Sequence, residues 1–462
     1  MHNYDAIIIG AGQAGPSLAG ALVAQGKRVA LAEGHKIGGS CVNYGCIPTK
    51  TLIASAKVAR QIQRSAEYGI QVGEVKVDFA AVMARMNQRR GDARSGLEAW
   101  LEGMAGLDLY RTYAQFDGQD AHGNYRVQVG EHVISAPQVF LNVGTRAFIP
   151  PIEGIESVPY LDSEGILALT ELPQHLLILG GSYIGLELGL AFRRLGAQVS
   201  IIENNPRLIA REDEDISAEA QAIVEAEGVK LYLGHQAIHA QTQDAGLSLT
   251  LQDAVGGRIV LSGSHLLVAV GRKANSERLN LSSVGIEVDK RGFIPVGEGL
   301  ETIARGIYAL GDVNGRGAFT HTSYQEYQIV LDNLNGAQRR VSERTLAYAL
   351  YLDPPLGRVG MSESEVRASG RPALIAKKAM NQIGRALEQG ETRGFIKLLV
   401  DAETERFLGA AVFGYQGDDV VQIISNFMAT GASYRVMRDA LPIHPTIGEF
   451  LPSMLNELQV LS

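Results

Sequence analysis

Two cysteines, Cys41 and Cys46, are the residues of this sequence whose type and spacing most directly suggest chemistry. They are the only cysteines in 462 residues, and both lie in the segment GGSCVNYGCIPTK, residues 38–50. Two thiols this close can exchange with a disulfide or bind a soft metal ion. A structural zinc site is disfavoured because no CxxC spacing or histidine pair supplies the remaining ligands. The redox interpretation is therefore favoured.

The backbone around the pair has to bend. Positions five apart in a regular helix point roughly 140° away from each other, so a disulfide between them needs a break in the helix. Gly45 supplies that freedom, and Pro48 is acceptable only in a helix's first turn. We therefore predict that the pair lies just where the long helix that follows begins, where the helix dipole favours a thiolate.

A glycine-rich turn near the N-terminus indicates a nucleotide-binding unit. The segment YDAIIIGAGQAG predicts a strand, Ala6–Ile9, and a turn through Gly10, Gly12 and Gly15 into a helix. A second strand follows and ends in Glu33, 23 residues after the first glycine of the turn. This GxGxxG pattern places a pyrophosphate at the helix N-terminus and the acid at a ribose hydroxyl.

The same unit occurs a second time. HLLILGGSYIGLELGLAFRRLGAQVSIIE again predicts strand, turn, helix and strand, and Glu203 lies 23 residues after Gly180. Ser182 replaces the middle glycine between Gly180 and Gly185, which weakens the match without removing it. A single glycine turn could be an ordinary strand-to-helix connection, but two turns with equally spaced acids favour the binding of two dinucleotides.

Length and charge exclude several classes of protein. A chain of this length divides into two to four domains, and a net charge of -8 with no basic stripe argues against a nucleic-acid partner. The N-terminus has no basic and apolar leader pattern, and no apolar run is long enough to span a bilayer. We expect a cytoplasmic protein, where structural disulfides are rare and a close cysteine pair is more often redox-active.

The remaining sequence predicts alternating element types. Residues 51–115 have mostly helical periodicity, and residues 125–142 predict strands. After residue 335 the pattern becomes α+β, entered through the double proline at 354–355. The elements predicted there are paired strands from GFIKLLVD and RFLGAAVFG, followed by helical stretches around residues 420–430 and 435–440.

The cysteine segment resembles the active-site disulfide of the pyridine nucleotide-disulfide oxidoreductases, the group of glutathione reductase, dihydrolipoamide dehydrogenase and mercuric reductase. GIYALGDVN, VAVGRKAN and IHPTIGE are similar to further segments of that family. The resemblance implies an α/β fold with two Rossmann-like dinucleotide-binding domains, for FAD and NAD, and a C-terminal α+β dimerisation domain. The implied segments are 1–145 (FAD, first part), 146–270 (NAD(P)H), 271–335 (FAD, second part) and 336–462 (dimerisation).

The resemblance also implies different roles for the two cysteines. Cys46 is the flavin-side thiol, and Cys41 is the interchange thiol that attacks the substrate disulfide. His444, oriented by Glu449, is the acid/base for Cys41 and comes from the partner subunit, so a homodimer with shared active sites is expected. Thiol exchange needs a thiolate attacker and a protonated leaving group, and an imidazole suits that exchange near neutral pH.

Further residues are assigned to the cofactors. By resemblance, Lys50 and Glu187 form an ion pair beside flavin N5, Tyr183 covers the flavin where nicotinamide docks, and Asp312 binds the ribityl chain. No metal site is assigned. The complete cofactor-binding set is Gly10, Gly12, Gly15, Glu33, Lys50, Gly144, Gly180, Tyr183, Gly185, Glu203, Arg272 and Asp312.

The acid at position 203 favours NADH over NADPH, because a carboxylate accepts a ribose hydroxyl and repels a 2′-phosphate. Arg207 and Arg211 follow closely and could soften that repulsion, so NADPH remains possible. The segment LNVGT, residues 141–145, departs from the ATG motif common in the family and places Asn142 where the flavin half is contacted.

Three functions remain open. The main one is an NADH-dependent reductase of a small disulfide or related oxidant. Two further segments resemble mercuric-reductase-like proteins, including flavoproteins that protect bacteria against reactive chlorine. They are REDEDI, residues 211–216, and FTHTSYQEYQIV, residues 319–330. Mercuric reductase itself is disfavoured because the chain has no further cysteine pair. The alternatives are dihydrolipoamide dehydrogenase, selected by activity with lipoamide, and a soft-metal reductase or redox-sensing flavoprotein, selected by metal binding with slight disulfide turnover.

Overall fold

The computed structural model describes residues 2–461. The helices, in chain order, are α1 (Gly15–Ala24), α2 (Gly39–Asn43), α3 (Cys46–Gln63), α4 (Phe79–Glu102), α5 (Ser163–Ile166), α6 (Tyr183–Leu195), α7 (Glu214–Ala226), α8 (Thr320–Leu334), α9 (Glu363–Ser369), α10 (Gly384–Glu388), α11 (Gly417–Thr430), α12 (Tyr434–Arg438) and α13 (Phe450–Met454). The strands are β1 (His2–Asn3), β2 (Ala6–Ile9), β3 (Val29–Ala32), β4 (Leu107–Tyr110), β5 (Ala114–Gln119), β6 (Tyr125–Val129), β7 (His132–Ala136), β8 (Gln138–Leu141), β9 (Thr145–Ala147), β10 (Tyr160–Leu161), β11 (His175–Leu179), β12 (Gln198–Glu203), β13 (Lys230–Leu233), β14 (His235–Gln243), β15 (Gly246–Asp253), β16 (Arg258–Gly263), β17 (His265–Val268), β18 (Arg272–Ala274), β19 (Ile307–Ala309), β20 (Ala347–Leu350), β21 (Leu356–Gly360), β22 (Ala373–Ala379), β23 (Phe395–Asp401), β24 (Phe407–Phe413) and β25 (Gln459–Val460).

Two parallel sheets have the same construction. The first has the order β19-β8-β2-β3-β4 and the second β10-β17-β11-β12-β13, and every neighbouring pair in both is parallel. In each, the strand before the glycine turn is central, and its helix, α1 or α6, crosses to the next strand. The inner strands β2, β3, β11 and β12 are largely buried, as helix-covered parallel sheets require.

In each unit an antiparallel insertion precedes, along the chain, a strand that pairs with the central strand of the parallel sheet. β5, β6 and β7 form one such three-stranded meander before β8, and β14, β15 and β16 form the other before β17. The chain therefore builds one α/β unit twice. The short strands β9 and β18 pair with each other where the chain passes from the first unit to the second and back.

The C-terminal domain is a six-stranded sheet, β20-β21-β24-β23-β22-β25, whose pairs are all antiparallel. Helix α11 packs on this sheet. A shared hydrophobic core joins the domain to the rest of the chain, with Leu52 of α3, Phe192 of α6 and Phe413 of β24 in one cluster. Burial of this apolar surface fixes the dithiol helix against both the second parallel sheet and the C-terminal domain.

The α/β class with a C-terminal α+β domain is confirmed. The strand Ala6–Ile9 and the pairing of β23 with β24 agree with the sequence patterns. Residues 51–115 are mostly helical, as predicted, although residues 70–78 form no helix or strand and Leu107–Tyr110 is the edge strand of the first sheet. The segment boundaries at 145, 270 and 335 stay predictions. Within residues 2–461, no helix combines the length and apolarity needed to cross a membrane.

Candidate active site

Cys41 and Cys46 lie on two different helices that meet at a sharp bend. Cys41 is in α2 and Cys46 is the first residue of α3, as predicted from the position of Pro48. Gly45 forms the bend with φ -131 and ψ -117, and a Cβ there would lie 2.8 Å from the Ser40 carbonyl oxygen. The bend brings the two side chains into hydrogen-bonding contact, although both are free thiols.

The two thiols have opposite acid strengths. The hydrogen bond from Cys41, the hydroxyl of Thr320 and the charge of Lys50 lower the pKa of Cys46 to about 6, against the opposing effect of its partial burial. The same hydrogen bond and the partial burial of Cys41 raise the pKa of that thiol. The Cys46 Sγ lies 3.1 Å from the Thr320 Oγ1. At neutral pH the reduced pair therefore holds one thiolate, on Cys46, and one thiol, on Cys41.

Thr320 is predicted to help hold the Cys46 thiolate. In the reduced protein, the thiolate should persist as the pH falls and be lost only below about pH 6. Thr320→Val removes the hydroxyl and should raise that pKa by about one unit, which corresponds to about 1.4 kcal/mol. The pH dependence of alkylation of Cys46 by iodoacetamide measures the shift, and Thr320→Ser, which keeps the hydroxyl, is the control. An unchanged profile in Thr320→Val would contradict this role.

Lys50 and Glu187 form the ion pair that the sequence predicts. The Lys50 Nζ lies 2.7 Å from Glu187 Oε2, and the other carboxylate oxygen accepts from the Tyr351 backbone N–H at 3.0 Å. Lys50 also lies 4.5 Å above the centre of the Tyr351 ring. The pair joins α3 to α6 one turn beyond Cys46, so a fixed positive charge stands beside the thiolate.

Each glycine turn donates a backbone hydrogen bond to the acidic residue of its own unit, and the geometry is the same in both units. In the first unit the Ala11 N–H donates to Glu33 Oε2 at 2.8 Å, and in the second the Gly181 N–H donates to Glu203 Oε2, also at 2.8 Å. Each acid is thereby held beside its own turn. A carboxylate has further lone pairs, so both can still accept from a ribose hydroxyl.

Asn142 explains why the two turns differ at their middle position. A Cβ on Gly12 would lie 2.7 Å from Asn142 Oδ1, so this side chain requires glycine there. Asn142 directly follows β8, and the residue that directly follows the equivalent strand β17 is Ala269, which has no such side chain. The second turn consequently has room for Ser182.

Asn142 also ties the two parts of the first unit together. Its Oδ1 accepts from the Gly15 N–H at 3.0 Å, and its Nδ2 donates to the Leu310 carbonyl at 2.8 Å. The side chain is buried. The departure from the family's ATG motif therefore supplies a buried bridge between the glycine turn and the segment that carries Asp312.

Asp312, Thr145 and Arg272 form one group at the junction of the two units. Thr145 Oγ1 donates to Asp312 Oδ2 at 2.9 Å, and Arg272 donates through Nε to Thr145 Oγ1 at 2.6 Å. A second Arg272 nitrogen lies 3.3 Å from Ser40 Oγ, next to Cys41. This group places the Asp312 carboxylate and a cation on the same side of the site as the dithiol. Gly144 has φ +63 in the adjoining loop, with open space beside it.

These residues fit a bound flavin dinucleotide. Within residues 2–461 the backbone N–H groups of Gly12 and Gln13, just before α1, have no hydrogen-bond partner, as a pyrophosphate site requires. Asp312 Oδ1 has no hydrogen bond in the same part of the chain and can accept from a polyol. The donors and acceptors thus match the pyrophosphate and the ribityl chain of FAD.

Tyr183 begins α6 and belongs to an aromatic cluster beside the dithiol. Its ring meets Phe319 and Tyr348 edge-on, with ring centres 6.4 and 6.0 Å apart, and those two rings stack at 5.2 Å. Phe319 directly precedes Thr320, which contacts Cys46. Tyr183 therefore connects the second glycine turn with the segment that contacts the thiolate.

His444 and Glu449 form a hydrogen-bonded pair near the C-terminus. The His444 Nδ1 lies 2.9 Å from Glu449 Oε2, and the His444 side chain is 81% exposed, whereas that of Glu449 is 12% exposed. In the described chain no hydrogen bond or ion pair joins His444 to either cysteine. His444 is thus hydrogen-bonded to Glu449, and its ring is largely exposed.

Sequence reasoning missed several residues of this site. They are Thr320, Thr145, Ser40 and Glu212. All four lie in segments that the sequence singled out, but the motifs assign them no role, because each acts through contacts with residues far away in the chain. Across the part of the chain that the structure describes, no group of three or more histidine, cysteine or acidic side chains is placed to hold a metal ion.

Comparison with known families gives two matches. A model described as "Pyridine nucleotide-disulphide oxidoreductase" matches residues 4–326, and one described as the dimerisation domain of the same group matches residues 346–455.

Individual relatives cover nearly the whole chain. The chain is 34% identical over 461 residues to the "Probable pyridine nucleotide-disulfide oxidoreductase RclA" of Escherichia coli, covering 99% of both proteins. It is 31% identical to the dihydrolipoyl dehydrogenase of Cupriavidus necator, covering 97% of this chain and 96% of the relative. Among solved structures, the "HOCl-induced flavoprotein disulfide reductase RclA" of Escherichia coli matches with a TM-score of 0.87 and 33% identity, covering 98% of this chain and 99% of that one. A Cu(II) complex of the same protein matches with a TM-score of 0.88.

Proposed function

This chain belongs to the pyridine nucleotide-disulphide oxidoreductase family, and from that premise we propose that Cys41 and Cys46 are the redox-active pair of an enzyme that carries electrons from NADH to a small disulfide or related oxidant. The protein is a flavoprotein disulfide oxidoreductase that uses FAD and a pyridine nucleotide. The residue roles, the preference for NADH, a cytoplasmic location and the shared active sites are our proposals.

The observation that carries the proposal is the split acidity of the pair. Cys46 holds a thiolate at the N-terminus of α3 beside Lys50, while Cys41 keeps its proton. Bound FAD supplies a two-electron relay between the nucleotide and a disulfide. A pair in which one sulfur is a stable thiolate and the other waits for a base suits a two-step exchange.

The exchange then proceeds by two sulfur displacements. Cys41, once deprotonated, attacks one sulfur of the substrate disulfide, which forms a mixed disulfide and releases the first thiol. The Cys46 thiolate attacks the Cys41 sulfur, which forms the internal disulfide and releases the second thiol. The two electrons that reduce the substrate come from the two cysteines. Each departing thiolate takes one proton, of which Cys41 supplies one and the solvent supplies the other.

His444 of the partner subunit is the proposed proton carrier. The ring is exposed and held through Nδ1 by Glu449, so its other nitrogen can face a second chain. It would accept the Cys41 proton before the first displacement and return a proton to the departing thiolate. A dimerisation domain is present at residues 346–455, and we propose that it pairs two copies so that each site uses both.

Glu203 supports the preference for NADH, which is a testable prediction. The carboxylate is 8% exposed, and Arg207, which could have offset its charge, instead donates to the Ala210 carbonyl. A 2′-phosphate should be repelled there, so kcat/KM with NADH should exceed that with NADPH by about tenfold or more, or about 1.4 kcal/mol. Steady-state kinetics with both nucleotides measure the ratio, and an equal or higher value with NADPH would contradict the role of Glu203.

An assay panel tests the proposal as a whole. Purified holoenzyme with NADH is offered glutathione disulfide, lipoamide, quinones, and Cu(II) or Hg(II) ions. Turnover of a small disulfide or oxidant supports the main function, whereas turnover confined to lipoamide selects dihydrolipoamide dehydrogenase. A relative was solved with Cu(II), so tight metal binding or reduction with negligible disulfide turnover would favour the soft-metal alternative. A protein that is colourless after purification would overturn the flavoprotein assignment.

A further inference from the structure

A buried carboxylate, Glu212, lies where the second parallel unit meets the C-terminal domain. It is in the loop between β12 and α7, and its side chain is 1% exposed. Two tyrosines donate to the same oxygen: the hydroxyls of Tyr183 and Tyr348 each lie 2.7 Å from Glu212 Oε1. Tyr183 comes from α6 and Tyr348 from β20, so this oxygen links the two domains.

The opposite oxygen of Glu212 faces a buried cation. Arg358 Nε lies 3.2 Å from Glu212 Oε2, but the alignment is too poor for a hydrogen bond, and Arg358 is itself 2% exposed. A buried ion pair contributes little to folding compared with well-packed apolar residues, because both charges must leave water. The burial and the adjacent carboxylate raise the pKa of the Tyr183 hydroxyl, so it remains a donor. Burying the Glu212 carboxylate costs free energy of folding, and this carboxylate accepts from two tyrosine hydroxyls. We therefore attribute to it a role in positioning those side chains.

Tyr183 is the member of this group that reaches the active site. It is half-buried, starts the helix of the second glycine turn, and shares a ring cluster with Phe319, the neighbour of the Cys46-contacting Thr320. The family resemblance implies that nicotinamide docks behind this ring, so the ring has to turn aside for the nicotinamide to enter. Turning it aside breaks its hydrogen bond to Glu212.

We propose that Glu212 is a positioning residue that holds Tyr183 across the nicotinamide entrance, with Tyr348 and Arg358 of the C-terminal domain fixing the carboxylate from the other side. This inference rests on the proposed function, in which nicotinamide docks behind Tyr183. The resting ring shields the site, and part of the nucleotide's binding free energy is spent on releasing it. Measured nucleotide affinity is reduced by the fraction of time the entrance is closed.

Two matched substitutions test this role. Tyr183→Phe and Tyr348→Phe each delete one hydroxyl that donates to the same Glu212 oxygen, but only the first frees the ring at the entrance. Calorimetric binding of NAD⁺ to the oxidised holoenzyme should be about tenfold tighter for Tyr183→Phe, the scale of one lost charge-assisted hydrogen bond, and not tighter for Tyr348→Phe. The KM for NADH should fall with it.

Glu212→Gln and its neighbour supply the second comparison. Glu212→Gln weakens the same contact and should also tighten NAD⁺ binding, with no further gain when it is combined with Tyr183→Phe. Asp213→Asn is the control, because Asp213 contacts Lys397, Glu363 and Ser364 at the same domain boundary and does not touch Tyr183. If Glu212→Gln fails to fold, the two tyrosine variants still decide the question.

The outcomes separate the two proposals. Unchanged NAD⁺ affinity in Tyr183→Phe, or equal effects of Tyr348→Phe or Asp213→Asn, would overturn the positioning role while wild-type turnover leaves the proposed function intact. A wild-type holoenzyme that binds neither NAD⁺ nor NADP⁺ would overturn both.

Discussion

Cys41→Ser should abolish disulfide turnover while the long-wavelength absorbance of a thiolate beside the flavin is retained. Cys41 is the only thiol besides Cys46 in the chain, so without it neither the mixed disulfide with the substrate nor the internal disulfide can form. We expect kcat with a small disulfide to fall by at least about a thousandfold, the scale of losing a nucleophile. The absorbance should survive because Thr320 and Lys50 still lower the pKa of Cys46, and the serine hydroxyl can replace the Cys41 donor.

Two companion variants sharpen the assignment. Cys46→Ser should lose the absorbance together with turnover, because the thiolate itself is removed. Cys41→Ala should keep the absorbance only at higher pH, because the hydrogen bond from residue 41 is the largest cause of the lowered pKa of Cys46. Absorbance spectra across pH, taken after stoichiometric reduction, measure both. Turnover that persists in Cys41→Ser would show that Cys41 is not the interchange thiol.

The paired units were predictable because their signals are local. A strand, a glycine turn and an acid at a fixed interval occupy little more than thirty residues, and steric limits at the turn leave few alternatives. The structure gives the matching bonds from Ala11 to Glu33 and from Gly181 to Glu203. The bend at Gly45 was equally local, since a proline just inside a helix start fixes where α3 begins.

Contacts between distant segments were not predictable in the same way. Thr320 reaches Cys46 across 274 positions, and a threonine at a helix start has no pattern that distinguishes a thiolate partner from an ordinary capping residue. Residues 70–78 contain several apolar side chains, yet Ile70, Val72 and Val75 are exposed and neither a helix nor a strand forms there. The apolar content of a segment gives no measure of whether it finds a partner to pack on.

The REDEDI segment illustrates the same limit. In the sequence this segment indicated only a similarity to mercuric-reductase-like proteins. The charge of its acidic residues alone predicts that they lie on the solvated surface. In the structure Glu212 and Asp213 are buried, because Arg358 and Lys397 approach from the C-terminal sheet. Only the docking of two domains gives these carboxylates their partners, so their role is encoded in tertiary packing.

Mixing of subunits should show that His444 acts across the dimer. The His444 ring is 81% exposed in its own chain and has no contact there with Cys41. His444→Gln alone should lower kcat by about a hundredfold or more, the usual scale for loss of a general acid/base. A heterodimer of one Cys41→Ser chain and one His444→Gln chain should then regain about half the wild-type activity. One of its two sites combines an intact Cys41 with an intact partner histidine, and the other site carries both substitutions.

Differently tagged chains, co-expressed and purified by both tags, give the heterodimer directly, and each homodimeric variant is the control. Glu449→Gln should partly mimic His444→Gln, because Glu449 holds the Nδ1 of the ring and is largely buried. If His444 served the cysteines of its own chain, each site of the heterodimer would carry one lesion and its activity would stay at the level of the homodimeric variants. Recovery of activity only in the doubly tagged species therefore requires that each active site is built from both chains.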